Sequence, residues 1–394
     1  VLLALRSYLR SQGWFEANQL PYPKMDIGLD LVALGTVADV VPLDTINRCL
    51  VAQGVGRMRS GRLRPGIQAL LELGGRSLTA LTAMDLGFVV GPRLNAAGRL
   101  DDMSIGIQCL LSESDEKAQE LATVLDGLNR DRRYIEGDIQ DQAEKILEKT
   151  QVNPRDQAGL CLYDASWHQG VIGIVASRIK ERHYRPTIVF SRTESGLLKG
   201  SGRSIQGVHL RDVLQRIDSQ SPDLLHTFGG HAMAAGLSIS EKSFKTFASV
   251  FDQTLRQMTD TSVWQAVVES DGPLTIDQAT LATLMEIEQG GPWGQGFPEP
   301  RFDGQFFVID QRLLKEKHLK LSLRWPNSSC LIDGIWFNCP KSMRLMRFDH
   351  IHIVYRLSKN QYRNTVRVQC LIEHLHPLTQ DADVFAHNLE ASYE

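Results

Sequence analysis

Hydrophobic and polar positions change rhythm three times along the chain. Residues 1 to 111 alternate helical patterns with short loops. Leu31, Val32, Leu34, Val37 and Ala38 recur at helical spacing behind Asp30, which stands where an N-cap would, and Pro42 ends the run. From Ser112 to Thr150 there is no proline, 11 acidic residues face 6 basic ones, and Leu121, Val124, Leu125, Leu128, Ile135, Ile139 and Ile146 keep a helical period. That stretch predicts a long, mostly solvated connecting helix, in which Asn129, Arg130, Arg132 and Arg133 either touch nucleic acid or, the favoured reading, pair ordinarily with Asp126, Asp131 and Glu136. From 151 to 258 the order is strand, loop, helix, strand, strand, helix, with strands over 159–163 and 186–191 and a helix from Val171 to Arg182.

Residues 262–378 read as β-rich. Strands are predicted over Val263–Glu269, Arg301–Ile309, His318–Leu323, Cys330–Trp336, His350–Tyr355 and Val366–Leu371, with one helix near Thr275–Glu288. Arg301, Lys315, Lys317, Lys320, Arg324, Arg356, Arg363 and Arg367 are interleaved there with Phe302, Phe307, Trp325, Trp336, Tyr355 and Tyr362. Such interleaving fits a barrel on which aromatics stack bases and cations follow a strand, about a third of the aromatics reaching substrate and the rest filling the interior. The fold class is therefore α/β multidomain: an α/β segment at 1–111, a connecting helix at 112–150, an α/β domain with a mixed sheet at 151–258, a β-barrel at 262–378 and an acidic, frayed end from 379 to 394.

Composition narrows the class. A chain of 394 residues, 42% hydrophobic and 23% charged, has the profile of two or three globular domains. No apolar run is long enough to span a membrane, and no signal peptide opens the chain. Six cysteines, at 49, 109, 161, 330, 339 and 370, form no C-x-x-C pair, the usage of reduced thiols in a cytoplasmic protein. The net charge of −3 hides a division: residues 301–378 hold 13 Lys and Arg against 6 Asp and Glu, or +7, which leaves −10 elsewhere. Val1 to Arg10 is an amphipathic pattern already under way, with neither Met nor a cap ahead of it, and reads as a fragment begun mid-helix.

Candidate chemistry gathers in three glycine-bearing stretches: His168-Gln169-Gly170 through Lys180, Gly200-Ser201-Gly202-Arg203-Ser204, and Gly229-Gly230-His231-Ala232-Met233-Ala234-Ala235-Gly236. Each places glycine beside a hydroxyl, imidazole or guanidinium, so bare backbone N–H groups and a donor side chain can converge on an oxyanion. The first opens a helix N-terminus, which favours anions through its free N–H groups. Upstream, Arg93, Asn95 and Arg99 lie on a segment bounded by Gly91-Pro92 and followed by Asp101 and Asp102. They are either arginines paired to local aspartates or forks for a phosphate. Asp39 sits in an apolar neighbourhood, where a carboxylate needs donors or a cation; it is either a hydrogen-bonded loop residue or a metal ligand.

These stretches together resemble the DHH phosphoesterase superfamily. The three glycine stretches are similar to its DHHA1 domain, Leu34-Gly35-Thr36-Val37-Ala38-Asp39-Val40-Val41-Pro42-Leu43 and Gly91 to Arg99 to later motifs of the DHH catalytic domain, and Gly291-Pro292-Trp293-Gly294-Gln295-Gly296-Phe297-Pro298-Glu299-Pro300 to the lead-in of an OB domain. The order matches the branch of single-strand-specific DNA exonucleases. The resemblance implies a DHH remnant, a DHHA1 domain and an OB barrel, and a five-prime to three-prime exonuclease of recombination and repair releasing mononucleotides with two Mn²⁺ or Mg²⁺ ions. It implies Asp39 as a metal ligand, Arg93, Asn95, Arg99, His168, Ser201, Arg203, Gly229 and Gly230 as substrate contacts, and His231 at the scissile phosphate. Its implied partners are single-stranded DNA, a single-strand-binding protein and a helicase, and its implied state is a monomer. Neither the family's upstream D-x-D nor its Asp-His-His precedes Asp39, so most of the metal set is missing and the isolated chain is expected to be inactive. Two other readings stay open: a non-catalytic single-strand-binding module, and a phosphoesterase of short oligonucleotides.

Overall fold

The computed structural model describes residues 2–149, 154–362 and 365–378. In chain order it opens with α1 (Leu2–Ser11), α2 (Trp14–Ala17), α3 (Leu29–Ala38), α4 (Thr45–Arg59), α5 (Pro65–Leu73), α6 (Ala83–Asp85), α7 (Gly91–Leu100), α8 (Ser104–Leu111) and α9 (Asp115–Lys149). The mixed domain follows as β1 (Leu160–Tyr163), α10 (Ile172–His183), β2 (Thr187–Arg192), β3 (Leu197–Arg203), α11 (Leu210–Gln220), β4 (Thr227–Gly230), β5 (Ala234–Ser240) and α12 (Phe244–Met258). The last stretch holds α13 (Leu281–Gly290), β6 (Phe302–Leu314), β7 (His318–Arg324), β8 (Leu331–Trp336), β9 (His350–Tyr362) and β10 (Thr365–Pro377). Contacts divide these into two units, one of residues 1–61, 81–86 and 268–394, the other of 62–80 and 87–267. The acidic end from 379 and Arg363, both part of the sequence expectations, lie outside the described residues, as does the side chain of Tyr362.

The second unit is built on α9 and a five-stranded sheet of order β1-β2-β3-β5-β4. β1 and β2 run parallel, and the remaining neighbours are antiparallel, which makes the sheet mixed. Ile188, Phe190, Leu198, Leu237 and Ile239 face Leu214, Phe247 and Phe251 of α11 and α12 in one core. Leu160, Leu162 and Val189 pack on the opposite face with Val175, Ile179 and Ile139 of α10 and α9. Strand period two does this sorting: Leu198, Gly200 and Gly202 are buried, while Lys199, Ser201 and Arg203 alternate with them on the side nearer solvent. The expected connecting helix is present, but it is not mostly solvated. Ala118, Leu121, Ala122, Leu125, Asn129, Glu136, Ile139, Ala143 and Leu147 are buried, because α9 packs on α5, α7, α8 and α10.

The second glycine-bearing stretch, through Arg203, forms the end of β3. Two further expectations change. Leu210, Val213, Leu214 and Ile217 form the buried stripe of α11, a helix the sequence reading passed over. Val263–Glu269 is not a strand; residues 261–264 form a short 3-10 turn, and Val263 and Trp264 pack against the α11/α12 core.

The first unit contains a closed barrel of order β10-β8-β7-β6-β9. Phe306, Leu321, Leu323, Ile351, Ile353 and Tyr355 fill it, and Phe302 and Trp336 are buried beside them. Three of the aromatics expected from the sequence, Phe302, Trp336 and Tyr355, are thus interior. Phe307 stays nearer the surface, its ring stacked on His350 at 4.6 Å with the Arg324 guanidinium 4.7 Å from its centroid. α13 begins later than expected, because Thr280 caps it by accepting from the N–H of Thr283 at 3.2 Å. In the same unit the 291–297 loop clasps the turn after α3: the N–H of Leu43 donates to Gln295 O at 2.7 Å, and Arg48 lies 3.9 Å over the ring of Phe297. Phe297 in turn stacks on Trp293 at 4.8 Å. Gly294 permits the approach, since a Cβ there would sit 2.7 Å from Leu43 Cδ1.

Candidate nucleic-acid interface

The loop ahead of α10 is fixed from below by Trp167, buried, whose indole N–H donates to Gln142 Oε1 of α9 at 2.8 Å. Above it the N–H of Gly170 donates to Nδ1 of exposed His168 at 3.1 Å, and Arg99 Nη1, from the end of α7, donates to Gly170 O at 3.2 Å. Only glycine tolerates this seat: a Cβ on Gly170 would lie 2.1 Å from Arg99 O. One turn on, a Cβ on Gly173 would come within 2.8 Å of Ser201 Oγ and 3.0 Å of Arg203 Nη2. The N-terminus of α10 is thus laid directly against the β3 residues that alternate outward, Ser201 and Arg203. Arg203 Nη1 donates to Ser201 Oγ at 3.3 Å and to Gly202 O at 2.8 Å.

Arg99, Ser201 and Arg203 therefore meet at one place. Burial, and then the charge of Arg99, lower the pKa of the Arg203 guanidinium. No ion pair is found for Arg99 or Arg203 among the described residues, so the cradle is rich in donors and poor in acceptors. Two guanidiniums held together without a carboxylate are relieved by an anion.

The sheet extends the cradle sideways. Ser201 pairs with Gly236, and Gly236 with Gly229, in one row across three strands. A Cβ at Gly229 would meet nothing within 4 Å, and one at Gly236 only Gly200 O at 3.9 Å, so both glycines leave bare backbone open to solvent. Gly230 serves the backbone instead. Its φ of +143° and a Cβ that would lie 2.4 Å from Ala234 O make it a requirement of the β4–β5 turn rather than of a ligand. Exposed His231 donates its N–H to Ala234 O at 2.8 Å, and Ala234 pairs with Arg203. His231 and Arg203 hence stand in one cross-strand row, two strand spacings or about 10 Å apart.

Other expected residues are placed elsewhere. Arg93 is not open to substrate: it is buried, its Nε and Nη2 both 2.9 Å from Asp126 Oδ1, and its Nη1 donates to Val89 O at 2.8 Å. Its partner is on α9 rather than among Asp101 and Asp102. Asn95 is exposed one turn before Arg99 on α7. Asp39 is an exposed C-cap of α3, not a carboxylate walled by apolar groups, and it precedes Val40, whose φ of 55° is left-handed. Asp30 lies buried inside the first turn of α3 instead of capping it, and Asp44 is the true cap of α4, accepting from the N–H of Asn47 at 2.8 Å. Among the described residues no three His, Cys, Asp or Glu side chains gather to hold a metal ion. The one Asp-x-Asp triplet, Asp381-Ala382-Asp383, lies outside them. A single exposed carboxylate supplies at most one ligand to an octahedral divalent cation, so the described residues alone do not build its site.

The sequence reading gave no site role to Lys199, exposed on the same alternating side of β3 as Ser201, or to Glu136 on α9, and it weighed a nucleic-acid contact for Arg132 but preferred ordinary pairing. Period-two spacing signals the lysine. The arginine and the glutamate looked like an ordinary i, i+4 pair.

A donor-lined cradle on a mixed sheet, carried in the same chain as a closed five-stranded barrel, is an arrangement suited to phosphate oxygens and to a nucleic-acid strand. Known families agree: residues 156–257 match the DHHA1 domain and 270–374 the RecJ OB domain. The single-stranded-DNA-specific exonuclease RecJ of Dickeya dadantii is 49% identical over 386 residues, 96% of this chain and 66% of that protein. The crystal structure of Thermus thermophilus RecJ with Mg²⁺ aligns at a TM-score of 0.76 and 27% identity over 93% of this chain and 54% of that one, and its Mn²⁺ counterpart at 0.76 and 28%, over 93% and 51%. The chain belongs to the RecJ family. It spans 66% of the length of the Dickeya relative. No described helix is long and apolar enough to cross a membrane.

Proposed function

We propose that this chain serves a RecJ-type, single-strand-specific DNA exonuclease acting from the five-prime end and releasing mononucleotides, and that its own contribution is the grip on the strand. The observation that carries this reading is the carboxylate-free convergence of Arg99, Ser201 and Arg203 against Gly173. The five-prime phosphate sits in this cradle, both guanidiniums donating to its oxygens. The first nucleotide lies along the bare backbone of Gly229 and Gly236, with Lys199 beside it. His231, about 10 Å from Arg203, donates to a non-bridging oxygen of a following phosphate and orients it. The trailing strand follows the cationic barrel. That barrel favours a long single strand over a dinucleotide, which has no use for such a surface.

The Thermus structures hold Mg²⁺ and Mn²⁺, and a divalent-ion dependence carries over to this chain as part of the reading. The described residues offer such an ion at most Asp39, so no hydrolytic step is assigned to them. A single-strand-binding protein and a helicase complete the setting as partners, with the protein acting as a monomer.

The test is binding and turnover of five-prime-phosphorylated single-stranded DNA. Arg203→Ala should weaken binding tenfold or more, the loss of a charged hydrogen bond of roughly 1.5–3 kcal/mol. It should also flatten the plot of log affinity against log salt by about one. The 394 residues alone, given Mn²⁺ and end-labelled strand, should bind without releasing mononucleotides. Unchanged affinity in the Arg203 variant would remove the phosphate cradle, and brisk release by the 394 residues would remove the incomplete metal set.

A further inference from the structure

One group beside the cradle takes no part in this grip. On the buried side of α9, which packs on both α7 and α10, Arg132 is held by two of its own helix neighbours. Its Nη2 donates to Asn129 Oδ1 and its Nη1 to Glu136 Oε2, both at 2.9 Å. The other oxygen of Glu136 accepts from Arg178 Nε of α10 at 3.2 Å. Asn129 is 1% exposed and the Arg132 side chain 11%. Yet Arg132 Nε and Asn129 Nδ2, two buried donors, have no hydrogen-bond partner among the described residues.

The charges do not balance here. Arg132 and Arg178 share Glu136, Arg178 also pairs with Glu181 at 3.5 Å, and Arg99 and Arg203 have no ion pair among the described residues, so four guanidiniums meet two carboxylates. Burial lowers the pKa of Arg132, and against the pull of Glu136 the charges of Arg133, Arg99 and Arg178 push the same way. Arg132 thus lies within electrostatic reach of Arg99, and Arg99 within reach of Arg203. A buried surplus of positive charge is costly unless an anion offsets it, and the more charge the anion carries the fuller the offset. A phosphate monoester carries about −1.5 to −2 at neutral pH, whereas an internal diester carries only one negative charge.

We propose that Arg132 is a specificity-determining residue that makes the cradle prefer a terminal phosphate monoester over any other part of the strand, acting from behind Arg99 without touching the ligand. The proposal rests on the cradle being a phosphate site. A guanidinium on α9 adds a fixed charge that rewards the extra negative charge of a chain end and gives little to a hydroxyl end. At an effective dielectric of about 20 and a separation of about 10 Å, one unit of charge difference corresponds to roughly a tenfold change in affinity.

The experiment measures dissociation constants of the full-length protein for one oligodeoxythymidylate carrying either a five-prime phosphate or a five-prime hydroxyl. The wild type is compared with Arg203→Ala, Arg132→Gln and Arg132→Lys, with thermal unfolding recorded for each. The expected result is a phosphate-to-hydroxyl preference that falls more than tenfold in Arg132→Gln, because the two ends differ by about 1.5 to 2 charges, hydroxyl-end affinity within twofold of wild type, and most of the preference regained in Arg132→Lys. If Arg203→Ala abolishes the preference while Arg132→Gln keeps it, the role of Arg132 is overturned and the cradle stands. Equal weakening for both ends in Arg132→Gln marks Arg132 as purely structural and overturns the proposal. A preference that survives Arg203→Ala removes the cradle, and the proposal falls with it.

Discussion

Gly200 and Gly236 lie across β3 and β5 within one register step, yet an added side chain should do opposite things at each. A Cβ on Gly200 would lie 2.6 Å from Phe190 Cε1 and 2.8 Å from Leu237 Cδ2, inside a closed core. Gly200→Ala should therefore cost about 1–3 kcal/mol, seen as a lower urea midpoint. Gly236 opens to solvent, and valine suits a strand. Gly236→Val should keep the midpoint and weaken single-strand binding by about tenfold, near 1.4 kcal/mol. A Gly236→Val protein that binds as before would show that the strand does not lie on that backbone. The glycine-rich stretches stood out in the sequence as a candidate site, but their division of labour did not. A glycine under a ligand, a glycine in a core and one forced to a φ of +143°, as at Gly230, are the same letter. Arg93 was misread for a related reason: its carboxylate, Asp126, lies 33 residues on, beyond the reach of local spacing.

At the level of elements, strands and helices with strong periods were readable and their ends were not. β6, β9 and β10 each run 13 residues, well past the apolar cores that announced them, because closing a barrel pairs polar positions as well. Val263–Glu269 alternates like a strand, but Val263 and Trp264 are drawn onto a neighbouring core instead. The barrel wall also makes a pH prediction. Asp303 is partly buried, which alone would raise its pKa, but hydrogen bonds from Ser270 Oγ at 2.5 Å and His352 Nε2 at 2.7 Å, with the charge of His352, hold it below the ordinary 3.8. A depressed carboxylate contributes stability that is present above the unfolded pKa and is lost as pH falls through the folded one. Ser270→Ala should therefore be less stable than wild type at neutral pH, and the gap should close as pH drops below 3.8. A gap of the same size at pH 2 would exclude Asp303 as its source.

For the whole molecule, order along the sequence was a poor guide to which segments group by contact. Residues 1–61 group with 268–394 rather than with their immediate successors. The link is the clasp of Leu43 and Arg48 by the 291–297 loop, which no periodicity reveals because it joins two loops far apart in the chain. Phe297→Ala removes a ring stack and a cation over the ring, and should lower stability by roughly 1–3 kcal/mol. Limited proteolysis should then cut preferentially within 1–61. Equal protection of that segment in both proteins would show the clasp to be idle.

The clasp also imposes a timetable on biosynthesis. When Leu43 leaves the ribosome, the carbonyl it will bond to is still about 250 codons away, a wait of roughly 12 to 50 seconds at ordinary elongation rates. Through that interval the turn beside Asp39 has none of its final neighbours from the 291–297 loop. The helices beside that turn thus stay open to a chaperone until the 291–297 loop emerges.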